Sequence, residues 1–153
     1  MIMELEAGLT IVPPDGPAHG RQITVHGPTD VAAFVAALAQ PYVDSAYTTH
    51  SGRPAHPEPD LSDGDMTPVP DHVATLGVRD GFGYFHYIGG VGDGSTQFHG
   101  FASGDAASPP AWLDGATELP AGSGIPLPLY EQLIAEFVAT GELPSGISWI
   151  NAS

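Results

Sequence analysis

The stretch His72-Val73-Ala74-Thr75-Leu76-Gly77-Val78-Arg79-Asp80-Gly81-Phe82-Gly83-Tyr84-Phe85-His86-Tyr87-Ile88 decides the fold. Its two arms, 72–79 and 82–88, alternate in the manner of strands. The Asp80-Gly81 pair between them tolerates the positive φ angles of a two-residue hairpin turn, so a β-hairpin is predicted here. Gly89 to Ser95 then predicts a second turn and Thr96 to Ala102 a third strand, which makes an antiparallel meander. A sheet face carrying Phe82, Tyr84, Phe85, Tyr87 and Phe98 is expected to bury about half of these rings.

Working towards the N-terminus, Asp44 to Pro70 loses all periodicity among His, Ser, Gly, Pro and Asp, and reads as a long, acidic, proline-stiffened loop. Loops of that length in a compact domain are usually functional or untethered, so this one is either a contact surface or an insertion that touches nothing. Before it, Val31, Phe34, Val35 and Leu38 recur at helical spacing, with Thr29 the expected N-cap and Pro41 the stop. Two strands are expected earlier, at Glu4 to Val12 and Gln22 to His26, separated by Pro13-Pro14-Asp15-Gly16.

Towards the C-terminus, Ser108-Pro109-Pro110-Ala111-Trp112 reads as loop and a short strand is expected near Thr117. Ile125-Pro126-Leu127-Pro128 opens a second helix whose Leu129, Leu133 and Phe137, joined by Tyr130 and Ile134, form an apolar face, and Gly141 is placed to end it. Gly146 to Ile150 is the last expected strand. The order β-β-α-β-β-β-α-β predicts an α+β fold: a mixed or mainly antiparallel sheet of about five to six strands with two helices covering one face.

The length of 153 residues with 42% hydrophobic content suits one domain with one core, residues 1–153. Eighteen acidic residues face only Arg21, Arg53 and Arg79, with no Lys, giving a formal charge of −15. Such a field repels nucleic acid and anionic membranes, argues against direct nucleic-acid binding, and favours a basic protein partner; its plainest alternative role is solubility. The absence of Cys excludes disulfides and thiolate chemistry. The N-terminal residues lack the basic head and apolar run of a signal peptide, and no apolar stretch approaches a membrane span, so a cytoplasmic protein is expected.

The motifs of catalysis do not assemble. Neither H-E-x-x-H nor an EF-hand loop occurs, and Asp60, Asp63 and Asp65 miss the spacing and the closing Glu of the latter. His86 and His99 can meet across neighbouring strands, but no third ligand suggests itself, so no metal is expected. Gly89 to Gly94 lacks the Lys and Ser/Thr of a phosphate loop, and neither Ser95 nor Ser123 sits in a G-x-S-x-G elbow. The chain is read as a non-enzyme with no cofactor.

Thr117-Glu118-Leu119-Pro120-Ala121-Gly122-Ser123-Gly124-Ile125-Pro126, the helix through Phe137, Thr140-Gly141, Pro144 and Trp149 resemble the first immunity-protein family of bacterial polymorphic toxin systems. The similarity covers about residues 73 to 150 and includes the hairpin. It departs from the family pattern in the Asp44 to Pro70 segment and at Leu119, where an aromatic is commoner. The resemblance implies an α+β antidote that binds a cognate protein toxin 1:1, often one with a nucleic-acid deaminase domain. Two other readings stand beside it: an acidic adaptor or secretion accessory protein that binds a basic partner without inhibiting it, and a small metal-dependent enzyme using His86 and His99.

Pro120, Pro126, Gly141 and Trp149 are expected to specify the fold, with Trp149 in the core. Contact residues should be exposed and acidic or aromatic. Asp114 and Glu118 are the first candidates, with Trp112 either an aromatic anchor or a ring folded over the core. Asp60, Asp63, Asp65 and Asp93 are the second candidates, with solvated surface charge as the alternative.

Overall fold

A computed structural model of the chain describes residues 3–59 and 66–152. The elements in order are β1 (Leu5–Ile11), β2 (His19–Val25), α1 (Val31–Leu38), β3 (Val43–His50), β4 (Ala55–Pro59), β5 (Met66–Pro70), β6 (His72–Arg79), β7 (Phe82–Val91), β8 (Thr96–Ala102), β9 (Ala111–Leu113), β10 (Thr117–Leu119), β11 (Ile125–Pro126), α2 (Leu127–Thr140) and β12 (Trp149–Asn151). The main sheet has eight strands, in the order β12-β8-β7-β6-β3-β1-β2 with β11 pairing the start of β7, and every pairing is antiparallel. The α+β class and the antiparallel sheet are as expected; the strand count is larger.

The deciding hairpin forms as its sequence dictates. β6 and β7 pair from Arg79 and Phe82 outward, with Asp80 at φ 54° and Gly81 at φ 81°, the left-handed values that the turn requires. β7 runs on through Gly89 and Gly90 to Val91, so the following turn is shorter than expected. The aromatics of β7 divide between the two faces by the two-residue period of a strand. Phe85 and Tyr87 enter the core with α1 and α2, whereas Tyr84, flanked by Phe82, belongs to a second cluster on the opposite face with Ala111, Leu113 and Leu119 of the β9–β10 hairpin.

Both helices lie on the first face. Val31, Phe34, Val35 and Leu38 of α1 and Tyr130, Leu133, Ile134, Phe137 and Val138 of α2 are all buried against Leu5, Ala46, Leu76 and Phe85. Gly141, at φ 71°, ends α2 and donates its N–H to the Phe137 carbonyl. Thr29 is not the N-cap of α1: it lies in a 3-10 turn, Pro28–Asp30, that leads into the helix. Trp149 is half-buried at the core margin, edge-on to Phe85, with Nε1 donating to the Pro144 carbonyl.

The predicted loop from Asp44 to Pro70 is corrected most. Its start is β3, held between β1 and β6 in the middle of the sheet. Ser45, Thr48 and His50 gave it a loop-like composition, yet all three are buried. Their polarity is met inside: Thr48 Oγ1 donates to the Ala74 carbonyl and His50 Nε2 to the Val138 carbonyl. Farther on, β4 and β5 pair with Pro57 opposite Pro68. A two-stranded ribbon accepts such prolines because each strand has an outer edge that needs no donor.

Two glycines let the sheet be approached closely from both sides. A Cβ on Gly77 would lie 2.6 Å from a methyl of Leu113, and one on Gly83 would lie 2.1 Å from the Tyr130 ring. The Leu113 methyl can swing away, but Tyr130 is fully buried with its hydroxyl donating to the Tyr84 carbonyl at 2.7 Å. Gly83→Ala is therefore expected to destabilise by about 1–3 kcal/mol through overpacking, read as a shift in the urea midpoint with unchanged slope. An unshifted midpoint would reject this packing of α2 on β7.

Candidate protein-binding hairpin and the polar clusters around it

The β9–β10 hairpin brings Trp112, Asp114 and Glu118 together. Ala111, Leu113 and Leu119 point into the cluster beneath it, so the two-residue period sends Trp112 and Glu118 outward as a directly opposed cross-strand pair. Trp112 is 55% exposed and so is not a ring folded over the core. Asp114 and Gly115 turn the hairpin with φ of 54° and 75°, values open to Asp and Gly.

Asp114 has a different situation from its neighbours. Its carboxylate accepts from the Tyr47 hydroxyl and, at 2.9 Å, from the Ala116 N–H, while its own N–H donates to Asp44. The hydrogen bond to Asp114 pushes the Tyr47 hydroxyl up to about 12, with burial and the Asp114 charge adding to it. Arg79 Nη2 completes the anchor by donating to Asp44 Oδ1 and to the Trp112 carbonyl, each at 3.0 Å. Asp44 reaches this face because the register of β1 and β3 shifts beside it, Ile11 pairing with Val43 but Thr10 with Ser45. The hairpin is thus tied to the sheet at one end by charge and hydrogen bonds and along its underside by apolar packing.

Beside the hairpin lies an open groove lined by His86, Ile88, His99, Phe101 and Glu118 among others. The two imidazoles stand perpendicular with centroids 5.1 Å apart. Burial, and then the neighbouring His99, hold His86 below the usual histidine range. Among the described residues, no group of three or more His, Asp or Glu side chains is placed to hold a metal ion.

The remaining candidates are not joined to this hairpin. Asp93 lies in the β7–β8 turn, where its carboxylate accepts from the Ser95 N–H and hydroxyl, and these bonds lower its pKa. Asp60, Asp63 and Asp65 fall outside the described residues.

A buried polar cluster that the sequence reading missed sits near the C-terminal end of α2. Arg53, 2% exposed at its side chain, donates to both oxygens of Asp71, to Glu142 at 2.8 Å and to the Gly92 carbonyl at 2.9 Å. Asp71 Oδ1 accepts from His72 Nδ1 at 3.0 Å, an arrangement that resembles a base oriented by a carboxylate. His72 Nε2, however, already accepts the His50 N–H at 2.8 Å, so neither ring nitrogen is left to take a proton from a substrate. Burial holds His72 below the usual histidine range. The cluster joins β3, β6, the β7–β8 turn and α2, and its chemistry is structural. The only signal for it in the sequence was the rarity of Arg, which singles out Arg53 and Arg79 as valuable countercharges.

Fold and surface define an antiparallel α+β protein that presents an exposed aromatic hairpin beside an open groove. Residues 19–151 match the family described as Immunity protein Imm1, and the chain belongs to that family. Membership places it among toxin immunity proteins, which bind a cognate toxin. No curated protein and no solved structure matches the chain. Among the described residues no helix is long and apolar enough to cross a membrane.

Proposed function

We propose that this protein neutralises a toxin that acts on nucleic acid, a deaminase being the type the family resemblance suggests, by covering its basic substrate site with an acidic surface and without chemistry of its own. The observation that carries the reading is the Trp112–Glu118 pair: an exposed aromatic residue directly opposite a carboxylate, on a hairpin anchored at its turn. Aromatic anchors of this kind dominate interface energies, and carboxylates can stand where substrate phosphates would. A charge of −15 adds long-range attraction to a basic groove. Because the Asp114 carboxylate is engaged within the chain, Asp114 is a positioning residue, and contact falls to Trp112 and Glu118.

Co-expression with the toxin tests the function. Restored growth together with 1:1 co-purification is expected; binding without rescue would instead identify an adaptor. Glu118→Lys is expected to slow association by about tenfold at low salt and to flatten its salt dependence, while changing dissociation less. Association kinetics identical to wild type would remove Glu118 from the contact.

A further inference from the structure

The register of the sheet places a band of side chains on the face away from the helices. Tyr47 pairs with Thr75, Thr75 with His86, His86 with Phe101, and Phe101 with Ile150, so one row of side chains crosses five strands from β3 to β12. Two residues along, Val73 pairs with Ile88 and Ile88 with His99, which sets a second row beside the first. Across the sheet, Ala74, Leu76, Phe85 and Tyr87 alternate with these residues and fill the helix-covered core.

Exposed apolar surface is concentrated here. Of seven large hydrophobic residues exposed among the described ones, Tyr47, Val73, Ile88 and Ile150 lie in the two rows and Trp112 on the hairpin above the same face. Contiguous apolar surface on one face marks an interaction site more than scattered single residues do. The hairpin covers one end, where Leu113 packs over Gly77 and Phe101 packs against its cluster; Thr75 and His86 in the middle of the first row are buried as well, so the open surface is carried by Tyr47, Val73, Ile88 and Ile150.

Charge decides what fits. Arg79 is paired with Asp44 and bonded to the Trp112 carbonyl, and Arg53 is buried against Asp71 and Glu142. Arg21 lies beyond the helix side of β2, in a hollow shared with Ile23, Phe34 and Ala37. No unpaired arginine therefore bears on the two rows, while Glu118 lines their groove and Glu6 stands on the same side of β1, opposite in phase to Leu5 and Ala7.

We propose that this open sheet face, centred on Ile88 and flanked by the Trp112–Glu118 hairpin, is the surface on which the toxin docks, and that the toxin presents to it an apolar protrusion ringed by Lys or Arg. This rests on the antidote reading above. The apolar rows bury the protrusion, Glu118 and Glu6 meet its basic rim, and His86 and His99 lie beneath it.

Two substitutions at the half-exposed Ile88 separate shape from charge. Ile88→Lys and Ile88→Glu both remove the apolar contact, but only Lys also repels a basic rim. Affinity for the purified cognate toxin is expected to fall at least about tenfold with Ile88→Lys and clearly less with Ile88→Glu. Gln132→Ala, exposed on α2 across the molecule, should bind as wild type, and melting temperatures report that all three variants fold. Wild-type affinity for the toxin in both Ile88 variants would overturn the face while leaving the antidote reading intact. An Ile88→Glu loss as large as that of Ile88→Lys would overturn the basic partner. A wild-type chain that neither binds nor neutralises the toxin would overturn both readings, and a dimer of the wild type that Ile88→Lys dissociates would assign the face to a second copy instead.

Discussion

Arg53→Met is expected to destabilise the protein by about 3–5 kcal/mol, because removing one partner of a buried ion pair leaves the other uncompensated. Met preserves much of the aliphatic length, so the loss reports charge and hydrogen bonding more than volume. Among the described residues, the Asp71 carboxylate would then keep His72 as its hydrogen-bonding side chain, in a site that is nearly closed to water. In the intact protein, burial raises the Asp71 pKa, yet the hydrogen bond and charge of Arg53, aided by His72, more than reverse this and hold it below the ordinary range. The damage should also spread, since Arg53 bridges the β7–β8 turn and the end of α2 through Gly92 and Glu142. Urea unfolding followed by tryptophan fluorescence, to which Trp149 contributes from the core margin against Phe85, measures the loss directly. A change under about 1 kcal/mol would show that water reaches Asp71 and replaces the guanidinium.

Trp112→Ala is expected to weaken toxin binding by about 2 kcal/mol or more, near thirtyfold, and to leave stability almost untouched. The dissociation of effects follows from geometry. Trp112 projects outward, opposite in phase to Ala111 and Leu113, which with Leu119 fill the cluster under the hairpin. Calorimetric titration of the toxin with wild type and variant measures the first quantity, and thermal melting the second. Equal affinities would take Trp112 out of the interface. A large drop in melting temperature would mean instead that the ring supports the fold. Together with the Ile88 substitutions, this separates the hairpin from the sheet face: both should weaken binding if the toxin spans them, whereas a response at Trp112 alone would confine the contact to the hairpin.

The antidote reading joins these surfaces to family membership. On the proposed function, the Glu118 carboxylate would stand where a substrate phosphate does, offering charge without a scissile nucleotide. A rigid mount favours affinity, since less order has to be imposed on binding. The ties from Tyr47, Asp44 and Arg79 to the hairpin supply that rigidity before the toxin arrives.

Much of the architecture could be read from local signals. Asp80-Gly81 specified its turn because few residue pairs accept two positive φ angles in succession, and the spacing of Val31, Phe34, Val35 and Leu38 specified the buried side of α1. The terminating Gly141 was legible for the same conformational reason. Trp112, Asp114 and Glu118 were singled out by residue type and proximity in the chain, and the hairpin does join them. What local signals did not carry was β3. A strand in the middle of a sheet can bury Thr48 and His50 because Ala74 and Val138, from other elements, accept their hydrogen bonds, and no window of sequence contains those partners.

The hairpin on which the fold turned was determined by the sequence alone, in its arms, its turn and its alternation. Which side of that alternation meets the helices, and which remains open with Ile88 and Val73 exposed, was decided only by the tertiary structure. Alternation assigns residues to two faces but says nothing of what covers either. The covering elements come from α1, α2 and the β9–β10 hairpin, far along the chain, and their approach depends on spaces at Gly77 and Gly83 that acquire meaning once Leu113 and Tyr130 arrive to fill them.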